Sequence, residues 1–142
     1  MFELARRFIK TGFIFFMVGL LLGLYMIISK HIFGKWPYPQ FITAHVHVLF
    51  FGFLLSLIKV VAIWMFPRPK DDNNYSPKLA EVTYWFLTLG TTTRFFGEVI
   101  SSYIIFRIVD WIIVLGGISQ VLAGFLFIYN MWSRVRPVGK QT

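Results

Sequence analysis

The sequence predicts an all-α membrane protein: four transmembrane helices in one antiparallel bundle, with both termini in the cytoplasm. Three observations lead there. Of the 142 residues, 57% are hydrophobic and 20% aromatic but only 14% are charged, against about 25% in an ordinary soluble domain. Seventeen Phe, five Trp and six Tyr are more than one small globule can hide, so much of that area must face lipid. Finally, the apolar residues fall in long runs that do not alternate, which suits membrane helices and excludes a barrel of short alternating strands.

The first span is expected at 8–29. It follows the basic stretch Met1-Phe-Glu-Leu-Ala-Arg-Arg-Phe-Ile-Lys10 and has no small-residue cleavage site, so it reads as an uncleaved span rather than a signal peptide. The second is expected at 41–66, after a connection holding Pro37 and Pro39. The third, 79–106, follows a segment with Pro67, Pro69 and Pro77, and the fourth, 109–132, comes almost at once. Each run is long enough to cross a bilayer, which needs about 20 residues. The very short third connection makes spans three and four a helical hairpin. The whole chain, 1–142, reads as a single integral membrane domain.

The formal charge of +8 does not point to nucleic acid, because the cations gather at segment ends, where they set topology and meet lipid headgroups. On one side lie Arg6, Arg7, Lys10, Arg68, Lys70, Lys78, Arg134, Arg136 and Lys140; on the other lie Lys30, Lys35 and Arg107. The positive-inside rule puts the first set, and both termini, in the cytoplasm of a cell bounded by this inner membrane. Trp36, Tyr38, Tyr103 and Trp111 then form an outer aromatic belt, and Trp64, Tyr84, Trp85 and Trp132 an inner one. Zero Cys removes disulfides, thiolate metal sites and covalently attached c-type haem.

Gly12 and Gly19, Gly90 and Gly97, and Gly117 and Gly124 are each two turns apart, and Gly19 to Gly23 is a small-xxx-small pattern. Such faces serve close helix contact or admit a flat ring. No Walker loop, Rossmann glycine pattern, HExxH or Ser-His-Asp arrangement is present, so hydrolase and nucleotide chemistry have no support.

The chemistry-bearing residues gather toward the outer face. His31 ends span one, and His45 and His47 lie a turn inside span two. Side chains two apart on a helix diverge by about 200°, so His45 and His47 serve different neighbours. Ionisable groups in lipid are functional by default, since each is costly unless partnered. Gly52, two turns deeper than His45, leaves room for a planar ligand, and Phe50, Phe51 and Phe53 offer ring edges to it. Haem meets these demands better than a bare ion, because imidazole is a common axial ligand.

Arg94 and Glu98 in span three stand at a pairing distance of four residues. They form either a buried ion pair that fixes helix register or a functional pair. In the second case Arg94, with Arg107, Lys35 and Lys30, meets haem propionates or a quinone-like head group, and Glu98 handles protons or orients a histidine. Lys59 is expected to snorkel toward the cytoplasmic interface. Ser119, Gln120 and Asn130 are expected to hydrogen-bond between helices, and Thr91, Thr92 and Thr93 to bond back to their own helix.

The stretch Phe41-Ile-Thr-Ala-His-Val-His-Val-Leu-Phe-Phe-Gly-Phe-Leu-Leu55, closing on Trp64-Met-Phe-Pro-Arg68, resembles the second transmembrane helix of haem-copper oxidase catalytic subunits. Its style is that of the nitric oxide reductase branch and the related oxidases. Phe13 to Leu24, rich in Gly, resembles the family's first helix, and the chain corresponds to the first four helices of a longer bundle. In that family the His of a T-A-H tripeptide is an axial ligand of the low-spin haem, which the resemblance assigns to His45. It assigns nothing to His47. The family's second low-spin ligand, high-spin haem ligand and copper ligands come from later helices, so no complete binuclear centre is implied here.

The combined expectation is a b-type cytochrome that carries electrons or binds a diatomic gas, a redox carrier rather than a full oxidase. His45 is the iron ligand, and His31 or His47 the candidate second. A homodimer is expected, because four helices are a thin shell for a haem, with a respiratory electron donor or quinone as further partner. The rivals are a non-catalytic accessory or assembly subunit of a respiratory complex, and copper or zinc handling through His31, His45 and His47.

Overall fold

The computed structural model describes residues 2–66 and 76–135. Arg68, Lys70, Arg136 and Lys140, which enter the charge count, and the Pro67-Arg68 end of the family-like stretch lie outside them. The described residues form four long helices and no strand: α1 (Phe2–His31), α2 (Pro39–Met65), α3 (Pro77–Ser101) and α4 (Arg107–Trp132). Three of these, α1, α2 and α4, are long and apolar enough to cross a membrane. The third helix falls short of that apolarity, because it carries Lys78, Glu81, Arg94 and Glu98 among its apolar residues; four helices are found where four were expected, and three of them meet the measure of a span.

Each boundary has a local cause. Pro39 and Pro77 occupy first-turn positions, where a missing N–H costs nothing. Ser76 caps α3 by accepting a hydrogen bond from the Leu79 amide at 3.4 Å. The third helix stops at Ser101, five residues short of the expected 106, where the Ser101 and Ser102 hydroxyls donate to the Glu98 carbonyl at 2.9 and 3.1 Å. After α1 the chain turns at Gly34, whose φ of 63° suits a residue without Cβ.

Within α2, Val48–Leu54 is π-helical. A π segment accommodates one residue more than an α-helix would, so the helix beyond it is set back by about 100°. From His47 to Lys59 a regular α-helix turns through about twelve steps of 100°, which leaves the two side chains about 120° apart. The set-back brings them to one face, and both are found against the α3–α4 pair: His47 on Glu98 and Lys59 on Ala123.

The apolar core lies toward the end where Phe66 and Ser76 meet the helices. Phe8, Val60, Ile63, Ala80, Tyr84, Leu87, Ala123 and Met131 make one buried cluster. Phe8 packs edge-on to Tyr84 at 5.0 Å, and the Thr11 and Tyr84 hydroxyls share a 2.8 Å hydrogen bond. Contacts between α3 and α4 run in opposite order along the two helices, from Ser76 with Asn130, through Gln120 with Thr91, to Gly97 against Ile113. Gly90 and Gly116 permit this approach: a Cβ on either would lie 2.8 to 2.9 Å from atoms of the facing helix.

The glycine faces behave unevenly. Gly19 and Gly97 are packed, but Gly124 meets nothing within 4 Å, so Gly116 rather than Gly124 makes the α4 contact. Large apolar side chains such as Phe13, Leu21, Trp64, Phe125 and Trp132 are exposed along the helices. These apolar helices imply a lipid bilayer as surroundings, and a multi-pass integral membrane protein.

Candidate functional site

Polar groups accumulate at the other end, where the N-terminal turns of α2 sit between α1 and α3. His45 turns toward α1 and is half-buried. Its Nδ1 lies 2.9 Å from the Gly19 carbonyl. A carbonyl only accepts, so Nδ1 carries a proton, and in the neutral ring Nε2 then keeps its lone pair, the tautomer that a metal ligand needs. Nε2 makes no hydrogen bond among the described residues. The ring lies over Gly23, where a Cβ would come within 3.0 Å of Cε1. Gly19 and Gly23, read above as a helix-contact pattern, thus form the shelf for one imidazole.

His47 leaves the same turn on the opposite side, as the 200° divergence requires. Its Nδ1 donates to Glu98 at 2.9 Å to Oε1 and 3.2 Å to Oε2. Glu98, only 3% exposed, also accepts from Arg94 Nε at 2.9 Å. Arg94 Nη1 in turn donates to Gln120 Oε1 at 3.1 Å, and Gln120 Nε2 to Thr91 Oγ1 at 3.1 Å. Five side chains from three helices are joined in one chain of hydrogen bonds. Each charge is paired and each lone pair largely used, which is the condition for holding charge away from water.

His31, at the end of α1, is exposed. The three histidines are therefore not gathered: one faces α1, one faces α3 and one faces outward. Among the described residues no group of three or more His, Asp or Glu is placed to hold a metal ion, so copper or zinc handling by the three has no geometric basis here. Gly52 is corrected too. A Cβ there would lie 2.6 Å from the Phe15 ring, so the space is filled by a side chain of α1 and is not a slot for a planar ligand.

Lys59 does not snorkel. It is 3% exposed; its Nζ donates to the Ala123 carbonyl at 3.2 Å and stands 5.4 Å from the Phe127 ring centre. Sequence reasoning missed this, and it also missed buried Arg134, whose Nη2 donates to the Ile63 carbonyl at 2.9 Å and to that of Phe66. The helix-to-helix partners are as expected. Ser119 donates to the Phe86 carbonyl at 2.7 Å, and Asn130 brackets Ser76 with bonds of 2.9 and 3.1 Å. Thr92 bonds back to the Thr88 carbonyl at 2.8 Å.

A family model described as Cytochrome C and Quinol oxidase polypeptide I matches residues 3–141. The chain belongs to this family. No curated protein and no solved structure matches it. Membership makes it a haem-copper oxidase-like membrane protein, in a family whose members bind haem. The likeness read from span two thus extends over nearly the whole chain. Of the residues named for a cofactor, His45 fits an axial ligand by its tautomer. Arg94 and Glu98 are committed to each other, and Gly52 is covered.

Proposed function

We propose that this oxidase-family chain is a haem b-binding integral membrane cytochrome in which His45, through Nε2, would hold the iron. The observation that carries the reading is the 2.9 Å contact of His45 Nδ1 with the Gly19 carbonyl. It fixes both the tautomer and the ring plane before any iron is bound, which raises ligand basicity and lowers the ordering cost of binding. Haem supplies one-electron chemistry and a coordination site for small diatomic gases; the protein would supply the ligand and its fixed ring orientation.

The remaining parts of the proposal follow from the same reading. The four helices form an antiparallel bundle in the cytoplasmic membrane with both termini inside. Its third helix crosses because Arg94 and Glu98 are neutralised against each other. A homodimer thickens the shell around the porphyrin, and His31 or a histidine of the second copy completes the coordination. A respiratory electron donor or a quinone exchanges electrons with it.

Dithionite-reduced spectra and a pyridine haemochrome assay on the purified chain test this. The expected result is a b-type spectrum that His45→Ala abolishes and His31→Ala leaves in place. Iron-free protein after haem-replete expression overturns the proposal and favours an accessory or assembly role. Carbon monoxide then divides the two jobs: an unmoved reduced spectrum means electron transfer, and a large shift means gas binding.

A further inference from the structure

We infer that Glu98 is a positioning residue for the His45 ligand: held in place by Arg94 and Gln120, it grips His47 and so fixes the rotation of the α2 turn from which His45 reaches α1. This rests on the reading of His45 as the iron ligand. The two imidazoles leave one turn in nearly opposite directions, and each is tied through Nδ1, at 2.9 Å to the Gly19 carbonyl and at 2.9 Å to Glu98 Oε1. A turn tied on both sides cannot roll about the helix axis without breaking one bond.

The π-helical Val48–Leu54 segment begins at the next residue. Its set-back puts the histidine turn in phase with the well-packed Lys59 half. The bonds of the histidine turn then hold that phase locally, from either side of the helix. Glu98 is suited to hold it, because its carboxylate is buried and itself held by Arg94 Nε at 2.9 Å, while Arg94 is held by Gln120 Oε1 at 3.1 Å. The α3–α4 pair thus provides the fixed reference, and His47 passes it to α2. Groups that orient a ligand without touching the metal commonly change affinity by about 10 to 100-fold when removed.

The test uses the haem-loaded full chain, with haem retention, optical α-band position and low-temperature EPR g-values as readouts beside helical circular dichroism. Glu98→Leu and His47→Leu are expected to keep helicity, lose haem about tenfold more readily, and shift or broaden the EPR signals. Glu98→Gln, which keeps an acceptor, is expected to restore the wild-type values.

His47→Asn, which keeps a donor where Nδ1 stands, is expected to resemble wild type. His47→Gln, which carries its amide farther out, is not, and this pair decides the matter if the Leu variants fail to fold. Wild-type retention and g-values in both Leu variants, or equal behaviour of His47→Asn and His47→Gln, overturns the inference. So does complete haem loss in His47→Leu and His47→Asn matching His45→Ala, which makes His47 a ligand. A colourless wild-type chain removes the ligand reading and this inference together, whereas haem loss confined to His45→Ala removes the inference alone.

Discussion

The two ends of the bundle are held by different forces. Around Phe8, Tyr84 and Leu87 the helices meet chiefly through a buried apolar cluster, where many weak contacts add up beside the individual hydrogen bonds of Lys59 and Arg134. Around His45, His47 and Glu98 they meet also through a few directional bonds, where each polar atom is decisive. The first end can tolerate change of shape if volume is kept. The second can tolerate volume but not the loss of one partner, since a buried group left unpaired keeps its full desolvation cost.

That contrast is broken most forcefully at Arg94. Arg94→Leu leaves Glu98 buried without its cation, with an expected loss of about 3–5 kcal/mol in SDS-titrated unfolding from mild detergent. Glu98→Gln in the same background is expected to recover most of it, and no recovery would mean that Arg94 acts by packing on Gly116 rather than by charge. Leu87→Ala in the apolar end is expected to cost about 2–5 kcal/mol, with the haem spectrum of the folded fraction unchanged; a shifted spectrum would show the two ends to be coupled.

Gly23→Ala sharpens the comparison from the other side. Its methyl group meets His45 Cε1 at 3.0 Å, so haem retention should fall about tenfold while unfolding stays near wild type. The smallest effect belongs to Gly124→Ala. That position faces open space, and the change should stabilise α4 by about 0.5–1 kcal/mol without moving the spectrum, measured by the same titration.

What could be read from the sequence follows the range of the interaction involved. The helices show through their length and apolar continuity, and the Arg94–Glu98 pair through its spacing alone, because both are properties of one segment. The divergence of His45 and His47 shows for the same reason. Their particular partners, Gly19 and Glu98, depend on how three helices are rotated against one another, and that rotation depends on the π segment, for which Val-Leu-Phe-Phe-Gly-Phe-Leu carries no distinctive residue. Gly52 illustrates the failure well: the missing side chain was visible, but not the Phe15 ring that fills the gap from another helix. Lys59 was misjudged because snorkelling assumes a lipid-facing position, whereas the set-back in α2 turns it inward.

The polarity of α3 bears on how the chain enters its bilayer. Helices emerge from the ribosome in order, so α3 arrives with Arg94 and Glu98 already beside each other, one turn apart, and with His47 waiting on the helix before it. Only Gln120 is still to come. If α3 crosses as proposed, a segment this polar can be admitted on those terms, with the histidine turn as the receiving berth for its charged neighbour.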